Sequence, residues 1–447
     1  MFEAGFGVTR IAGASALTLG LTLALPGSAV AADEARSPTF TRDIAPIFQD
    51  KCEACHRPDS IAPMSLKTYA DVRPWARSVK ARVQDRQMPP WHIDKTVGIQ
   101  KFKNDRSLTN DQIATIVRWV DSGAPQGDPG DMPAARQWPE DQGWNFAAAF
   151  GQKEPDMVIT SHPFTMPAVS QDAWDKRVTP TGIREPRWVR AIEIRPKTAK
   201  GRRIVHHAIA YLEQDEPGAP APLGLPTPFM EWAVGKQGEL MRPDAGKLLL
   251  PGSKFHWDIH YSQAGEEITN QVELGLYFYP RGHKPKFRNT LQLVPAALGT
   301  LDIRPNTIAV AEGFTVLREA ARVESFQAHM HLRGKAMMME AILPTGQKQV
   351  ISHVNDFNFN WHTTYIYADE AAPLLPKGTI LKVTAWHDNT AAKKSNPDPN
   401  QWVGWGDRTV DEMAHAWVNI VYMNDHGFTI EVEKRRAMQA QNTEQQQ

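Results

Sequence analysis

The chain of 447 residues has only two cysteines, and both stand in the short run Cys52-Glu53-Ala54-Cys55-His56. Two thiols at this spacing can form thioether bonds with the vinyl groups of haem, and the histidine that follows can bind the iron. A redox dithiol and half of a zinc site are the alternatives, but no second cysteine pair exists to complete a cysteine-rich zinc site. The run therefore predicts covalently attached haem c. Because haem takes both thiols, the rest of the chain has no disulfide, and packing and any bound metal must hold it together.

The first 31 residues have the features of an export signal. Arg10 precedes an apolar run from Ile11 to Leu25, and Ala29-Val30-Ala31 resembles a small-residue cleavage site. An uncleaved anchor is the alternative, although the run is short for crossing a bilayer. We therefore predict a signal peptide over residues 1–31, a periplasmic location and no transmembrane segment in the mature chain.

Length and composition narrow the class of protein. A chain of this length predicts about two to four domains. The hydrophobic content of 41% and the charged content of 22% are ordinary for a globular protein. The formal net charge is zero, which provides no basic footprint for nucleic acid. We therefore expect no nucleic-acid partner.

Three short helices are predicted around the cysteine run. The first leads into the run, and the second lies between Val72 and Asp85, with Trp75, Val79 and Val83 facing inward. The third begins at a capping box, Thr109 with Gln112, and ends at Gly123. Its apolar stripe consists of Ile113, Ile116, Val117 and Val120. This arrangement resembles a small all-α class I cytochrome c domain, from about 38 to 128.

That resemblance implies a methionine as the second axial ligand of the haem iron. Met88, in Met88-Pro89-Pro90-Trp91-His92, is the first choice because a methionine beside proline in an extended loop is usual in such domains. Met64 is the second choice and His92 the third.

The hydrophobic pattern of the sequence changes after a predicted linker at 129–155, which is rich in Pro, Gly, Asp and Gln. Apolar residues then alternate with polar ones in Val189–Arg195, Phe255–Tyr261 and Val272–Phe278. The pattern predicts an all-β region of two β-sandwiches, 156–290 and 291–433, that divide near 285–301. The charged, Gln-rich tail at 434–447 is predicted to be disordered.

Histidines cluster at three places in the β region: His206-His207, His256 with His260, and His329-Met330-His331. Side chains alternate between the faces of a strand, so His329 and His331 project together and can share a metal. Adjacent histidines such as His206 and His207 share a metal only at a strand end, at a bulge or with divergent rotamers. Either His256 or His260 could supply a further ligand.

Met413 begins another alternating run, in which it shares a polar face with His415 and Trp417. A thioether favours Cu(I), and imidazole accepts Cu(I) or Cu(II), so two histidines and a methionine suit a copper ion that changes oxidation state. A blue-copper site is excluded because no cysteine remains for it.

The β region resembles the type II copper, ascorbate-dependent monooxygenases, which include the peptidylglycine α-hydroxylating and dopamine β-monooxygenases. The similarity covers about 156–430, and the matching pieces are Val205-His206-His207, Ile259-His260-Tyr261, His329–Lys335, Asp356–Trp361, the run from Asn396 to Gly406, and Asp411-Glu412-Met413.

The resemblance implies two jelly-roll-like sandwiches with a solvent-filled cleft between two separated copper ions. One copper ion is implied on His206, His207 and His260, where it stores and passes an electron. The other is implied on His329, His331 and Met413, where it binds dioxygen and substrate. His256 then supports a ligand from outside the metal's own shell, and the histidines that match no ligand are interpreted as structural or surface residues: His353, His362, His387 and His415. The last of these stays open, because it shares a face with Met413.

Two positions depart from the peptide-hydroxylating enzymes. Gln327 stands where an arginine holds the substrate carboxylate, and Trp417 stands where a tyrosine lines the substrate site. Both departures argue against a peptide substrate and favour a neutral or aromatic molecule.

Together these features predict an exported enzyme that hydroxylates a C–H bond of a small organic substrate with O2. Electrons from an external donor, either a redox protein or a small reductant, are expected to reach copper through the haem. The alternatives are an electron-transfer or copper-storage protein without hydroxylase activity, and a copper oxidase or dehydrogenase.

Overall fold

A computed structural model describes residues 36–58, 60, 62–138, 143–216 and 227–444, with side chains to residue 441. The predicted signal peptide, 1–31, lies outside the described residues. From Pro38 onward the chain forms one compact unit. Among the described residues, no helix combines the length and the apolar character needed to cross a bilayer.

Helices occupy the N-terminal quarter of the described chain and its C-terminal end. The α-helices are α1 (Ala45–Lys51), α2 (Tyr69–Val72), α3 (Ala76–Gln84), α4 (Asn110–Asp121) and α5 (Asp425–Glu444). A π-helical turn (Phe40–Ile44) precedes α1, and single 3₁₀ turns form at Arg73–Trp75, Pro129–Asp131, Ala148–Phe150 and Lys200–Arg203.

The helical region, 38–128, has a core of its own. The predicted capping box begins α4: the Thr109 hydroxyl accepts a bond from the Gln112 amide at 3.1 Å, and the Gln112 side chain accepts one from the Thr109 amide at 2.9 Å. Ile116 and Trp119 of this helix are fully buried. The predicted inward position of Trp75 is wrong, because its ring is 45% exposed while Val79 and Val83 fill the core.

In the remainder of the chain, most of the regular secondary structure is strand. The first half contains β1 (Met157–Thr160), β2 (Phe164–Met166), β3 (Ala173–Asp175), β4 (Val178–Pro180), β5 (Arg187–Pro196), β6 (Val205–Glu213), β7 (Thr227–Ala233), β8 (Glu239–Leu240), β9 (Ala245–Leu249), β10 (Lys254–Tyr261), β11 (Ile268–Asn270) and β12 (Val272–Phe278). The second half contains β13 (Phe287–Ala297), β14 (Asp302–Ile303), β15 (Ile308–Val316), β16 (Ala320–His329), β17 (Gly334–Ile342), β18 (Lys348–Val354), β19 (Tyr365–Ile366), β20 (Leu374–Leu375), β21 (Ile380–Asp388), β22 (Val403–Gly404) and β23 (Ala414–Met423). The predicted all-β region and its three predicted strands, found here as β5, β10 and β12, are confirmed.

Three sheets organise these strands. The largest has the order β1-β12-β5-β9-β13-β23-β16-β19, with β8 beside β5 and β20 beside β16. A second sheet has the order β3-β10-β6-β7, with β4 beside β10, and a third has the order β15-β21-β17-β18. Two small ribbons, β2-β11 and β14-β22, complete the set within the described residues.

The two halves of the β region have separate cores but share the largest sheet. One core lies between Ile159 and Phe278, and the other between Val294 and Ile420. The halves join where Ala245 and Gly246 of β9 pair in parallel with Phe287 and Arg288 of β13. Strand β13 therefore occupies most of the segment 285–301, where the sequence predicts a division. Pro295 is tolerated within β13 because it lies at a register shift, where a ladder hydrogen bond is already missing.

The second half of the predicted linker is packed against strands β5 and β12. Trp144 and Ala147 are buried against Ala191 and Tyr277. The buried Glu193 carboxylate accepts bonds from the amides of Asn145 at 2.7 Å and Phe146 at 2.8 Å, and from the Tyr277 hydroxyl at 2.7 Å. A Pro- and Gly-rich composition thus predicts irregular backbone correctly but does not show that the segment is detached.

We expect Glu193→Gln to lower the free energy of unfolding by about 1–3 kcal/mol, because the new amide group would face a backbone N–H donor. Urea unfolding followed by fluorescence measures the change. The matched control is Glu185→Gln, whose parent side chain is 43% exposed, and for which a change within about 0.5 kcal/mol is expected. Equal stability of the two variants would show that Glu193 does not hold the segment 143–151.

The predicted disorder of the tail is wrong for residues 434–444, which continue α5. The tail is rich in Ala, Gln, Lys, Arg and Glu, all good helix formers. Arg435 also anchors the helix by donating to the carbonyl oxygens of Asp369 at 2.9 Å and Ala372 at 3.1 Å.

A loop between α3 and α4 fastens the helical region to the second β core. Trp91 packs edge-on against Tyr365, with ring centroids 4.8 Å apart. Asn104 bonds the backbone of Thr364 and Ile366 through its side-chain amide, at 2.7 and 3.1 Å. These contacts place the Cys52–His56 turn beside the β region.

Candidate metal centre and the neighbouring cavity

Two adjacent strands bring the first set of histidines together. His207 of β6 lies directly opposite His260 of β10, and a register shift follows at Tyr261. His206 and His207 begin β6, so the strand end and the bulge allow both rings to turn toward one point. Ligand nitrogens of His206, His207 and His260 all lie within 4.8 Å of one another. The predicted grouping of these three residues is what the structure shows.

The lowered pKa values and the unpaired ring nitrogens of these imidazoles favour metal binding. Burial lowers the pKa of His206 to about 4 and that of His207 well below its ordinary value, and the neighbouring His260 lowers both further. The rings are therefore neutral, with lone pairs available. Within the described part of the chain, the buried Nδ1 atoms of His206 and His207 have no hydrogen-bond partner, an arrangement that is costly unless another group satisfies them. Three imidazoles suit copper, zinc, iron or nickel.

An aspartate and an indole support His260. Its Nε2 lies 3.0 Å from Asp172 Oδ2, a short contact that is not aligned as a full hydrogen bond. The contact with His260 and a bond of 2.6 Å from the Thr409 hydroxyl hold the pKa of Asp172 at about 2. Trp174 stacks on the His260 ring with centroids 4.6 Å apart. The ring is thus oriented from two sides.

The second set lies at the ends of β16 and β23. His329 is paired with His415 across these strands. Extending this antiparallel register by two residues places Met413 opposite His331. The His331 backbone amide donates to the Glu412 carboxylate at 2.9 Å, and the His331 Nδ1 lies 3.1 Å from the Asp411 carbonyl oxygen. The structure therefore brings the segment before Met413 next to His331, and the role of the Met413 thioether as a ligand stays a prediction.

Arg333 and Gly334, which follow His331 in the sequence, have structural roles beside the second set. Arg333 is fully buried and donates to Asn389 Oδ1 at 2.8 Å and to the Val410 carbonyl at 2.9 Å, while its amide donates to Glu412. A Cβ at Gly334 would lie 2.7 Å from the side chains of Met330 and Phe357. Together these contacts hold the segment before Met413 close to the His329–His331 turn.

The two histidine sets meet, contrary to the expectation of two separated sites across a solvent-filled cleft. The rings of His207 and His329 have centroids 5.7 Å apart, and both side chains are buried. The cause lies in sheet packing: the β6–β10 sheet rests directly on the β13–β23–β16 strands, with Ile209 packed against Leu291 and Trp417. We call the resulting group the histidine cluster; it comprises His206, His207, His260, His329, His331, His362 and His415.

His362 and His415 belong to this cluster, whereas the sequence interpretation made His362 structural or superficial and left His415 open. His362 lies 4.7 Å from His329 and 5.6 Å from His206 between ring centroids. His415 stacks on His329 at 4.5 Å. Neither ring nitrogen of His362 or of His415 has a hydrogen-bond partner in the described residues. The signals were present: His362 directly follows the Asp356–Trp361 run, and His415 shares a strand face with Met413.

The other histidines lie apart from the cluster. His256 pairs with Glu213 and is about one-third exposed, so its predicted supporting role toward a metal ligand is not what the structure shows. His353 lies 3.6 Å from Asp94 of the α3–α4 loop. The buried His387 reaches the Met413 carbonyl oxygen at 3.1 Å, which makes it a structural support for that segment.

Gln327 and Trp417 are packed residues rather than the substrate contacts that the sequence predicts. The Gln327 amide donates to Glu231 Oε1 at 2.8 Å and accepts from the Thr364 hydroxyl, so its hydrogen-bonding groups are engaged within the protein. Trp417 is 2% exposed and lies edge-on to His415 at 5.0 Å. The inference of a neutral or aromatic substrate therefore loses its support.

A cavity of about 1100 Å³ lies between the helical and β regions. It exceeds the range of about 300–1,000 Å³ that is usual for small-molecule sites. Residues of the cysteine run and both candidate methionines line its helical side, namely Cys52, Cys55, His56, Met64 and Met88, and Trp361, His362 and Thr364 are among those on its β side. His92, the third candidate for an axial ligand, is not among the lining residues in the described chain.

The cysteine run fits the attachment of haem in this cavity. Cys52 and Cys55 form no disulfide, and burial raises the pKa of the Cys52 thiol to about 12, with the Cys55 and Glu53 charges adding to the effect. His56 Nδ1 lies 3.2 Å from the Met64 carbonyl oxygen, a contact that leaves Nε2 available to a metal. Burial lowers the pKa of His56, which keeps the ring neutral as an iron ligand must be.

Comparisons with known proteins add little to this description. No protein-family model matches the chain, and no curated protein matches it. Among solved structures, the chain is similar to the VP2 subviral particle of infectious bursal disease virus, with 9% identity, 60% of this chain and 72% of that chain covered, and a TM-score of 0.17. It is also similar to the structure of the Gx strain of infectious bursal disease virus, with 6% identity, 60% and 73% coverage and a TM-score of 0.18. Scores this low carry no argument about function.

Proposed function

We propose that the protein is an exported haem–copper monooxygenase that hydroxylates a C–H bond of a small organic substrate. In this proposal the helical region is a class I cytochrome c domain, the β region is a pair of jelly-roll-like copper sandwiches, and export to the periplasm removes residues 1–31. One observation carries it. The cavity lined by Cys52, Cys55 and His56 is also lined by His362, a member of the histidine cluster whose ring lies beside those of His206 and His329.

The donor atoms of the chain divide the work. Cys52 and Cys55 would hold the haem, with His56 and Met88 as axial ligands and Met64 as the alternative to Met88. One copper ion would be held by His206, His207 and His260, and the second by His329, His331 and Met413. When bound, the haem would supply single electrons and copper would supply the chemistry that activates O2.

The chain also prepares the site around these groups. Burial lowers the pKa of His206 and that of His331 to about 4, which keeps both rings neutral and able to bind a metal. The bonds that Arg333 donates to the Val410 carbonyl and that Glu412 accepts from the His331 amide hold the Met413 segment in place. Balanced, the reaction converts R–H, O2, two electrons and two protons into R–OH and water. An external donor, either a redox protein or a small reductant, would supply the electrons.

The decisive experiment uses isotopically labelled O2 with the haem- and copper-loaded mature protein and a panel of small organic substrates. A monooxygenase places one labelled atom in the alcohol product and the other in water. Metal analysis is expected to give two copper ions per haem. Labelled water without labelled product would identify an oxidase, and one copper ion or none per haem would contradict the proposal.

A second candidate is an electron-transfer or copper-binding protein without hydroxylase activity. The burial of the cluster favours it, because His207, His260, His329 and His331 are each at most 9% exposed, and a substrate needs access to the metal. Oxygen uptake that is coupled to formation of a product distinguishes the two candidates.

We expect Met413→His to retain copper but to lower the turnover number by at least about tenfold, a size of effect seen when the surroundings of a metal are altered. Imidazole stabilises Cu(II) more than a thioether does, which hinders the return to Cu(I). Steady-state hydroxylation and copper content measure the effect. Met438→His, at a side chain 53% exposed on α5, should change neither. Unaltered turnover in Met413→His would refute the assigned role.

A further inference from the structure

We propose that His362 is the contact through which electrons pass from the cavity to the other members of the histidine cluster. The inference rests on the proposed function, since it assumes haem in the cavity and copper in the cluster. It names a residue that the resemblance to copper monooxygenases does not include among its metal ligands.

The ring of His362 both lines the cavity and lies among the other histidines of the cluster. Its side chain lines the cavity together with Cys52, Cys55 and His56. The same ring lies 4.7 Å from His329, 5.6 Å from His206 and 6.3 Å from His207 between centroids. It therefore lies beside members of both histidine sets and also lines the cavity.

The chemistry of the ring indicates a partner outside the protein. His362 is 3% exposed, and neither Nδ1 nor Nε2 has a hydrogen-bond partner among the residues that the structure describes. A neutral imidazole carries one donor and one acceptor, and leaving both unpaired in the interior destabilises the folded protein. A bound group in the cavity and metal-bound ligands in the cluster can satisfy these two atoms.

The neighbouring side chains offer a less direct route. Thr364 also lines the cavity, but its hydroxyl donates to Gln327, which stands two residues before His329 on β16. A path through Thr364 must therefore cross a hydrogen bond and a stretch of strand before it reaches an imidazole. Electron transfer falls steeply with distance and with each gap between bonded atoms, so the direct ring contact of His362 is the favoured path.

The step is a simple one-electron exchange. One electron leaves ferrous haem, which is oxidised to the ferric state, and reduces a cupric ion in the cluster to the cuprous state. No bond is formed or broken within the protein, and His362 ends the step unchanged. His362 is therefore a positioning residue and not a catalytic one, because it acts through the groups on either side of it.

The test compares His362→Phe with the unaltered mature protein, both loaded with haem and copper in oxygen-free solution. A pulse of a one-electron reductant reduces the haem, and the decay of ferrous haem absorption is followed together with the loss of the Cu(II) electron paramagnetic resonance signal. Phenylalanine keeps a flat ring but has no nitrogen. We expect the decay to slow by about 10- to 100-fold, the range found when groups around a metal are replaced, while haem content, copper content and melting temperature stay unchanged.

Two further variants complete the design. His283→Phe makes the same change at a side chain that is 40% exposed and stacked on Tyr279, away from the cavity, and should transfer electrons at the unaltered rate. His362→Gln keeps a donor and an acceptor, so it should recover part of the rate, and it also replaces the phenylalanine variant in the test if that variant does not fold.

Each outcome decides between the two proposals. If ferrous haem in the unaltered protein does not reduce copper at all, the proposed function fails. If it does and His362→Phe reacts at the same rate, only the role of His362 is overturned. Loss of copper from both His362 variants would also overturn it, because His362 would then be a metal ligand and not a contact.

Discussion

Replacing both Cys52 and Cys55 with alanine is expected to leave a protein without any covalently bound haem. These are the only cysteines of the chain, so no other thiol can form a thioether. Both line the large cavity, and neither is in a disulfide. Mass spectrometry of the denatured protein gives the result directly: the unaltered mature chain should carry the additional mass of one haem, and the double variant should not.

The single variants provide the control for this experiment. Cys52→Ala and Cys55→Ala each keep one thiol, so each should retain haem through one thioether bond and show an altered haem spectrum. The helical core is formed mainly by other residues, among them Phe40, Ile44, Phe48 and Trp119, and the fold should persist in all three variants by circular dichroism. If the denatured, unaltered protein showed two titratable thiols and no added mass, the haem assignment would be wrong.

The second large effect is expected at His207, where alanine should weaken copper binding at the first set by more than about 100-fold. Replacing groups outside a metal's own shell already costs about 10- to 100-fold, and His207 offers a direct ligand atom. It is also buried and lies directly opposite His260, so its loss would leave the first set with two of its three imidazoles. Copper content after dialysis against a competing chelator measures the loss.

A matched substitution separates loss of a ligand from a general effect of removing histidine. His256→Ala lies on β10, the strand that carries His260, but its ring pairs with Glu213 at the surface. It should bind copper as the unaltered protein does. Because a ligand that binds only the folded state stabilises it, copper should raise the melting temperature of the unaltered protein and of His256→Ala more than that of His207→Ala. Equal copper content in all three proteins would remove the basis of the first metal site.

Short-range patterns predicted much of the local structure. The capping box of α4 depends on two residues three positions apart, and it forms as expected. Alternation predicted β5, β10 and β12 because each has an apolar face that must be buried. The pattern was less informative for the tail and the linker, since composition describes solubility and backbone preference but not the neighbours, such as Glu193 or Asp369, that hold a segment in place.

The candidate site shows the same division. The grouping of His206, His207 and His260 was expected from the resemblance to copper monooxygenases, because strand alternation alone sends His206 and His207 to opposite faces. The resemblance left His362 out. Its place directly after the Asp356–Trp361 run was a signal, but His362 lies in a loop whose position depends on contacts with the helical region, such as the Asn104 bond to Thr364. The assignment of Gln327 to substrate binding failed for a similar reason: its partner Glu231 is 96 residues away in the sequence.

By itself the sequence determined which side chains are available for chemistry and on which local face each one lies, because these properties depend on residue type and on the period of a strand or helix. Only the tertiary structure decided that the two histidine sets meet in one buried cluster and that a cavity beside the cysteine run reaches it. The physical reason is that the stacking of the β6–β10 sheet on β13, β23 and β16 depends on packing between residues far apart in the chain, which no local spacing encodes.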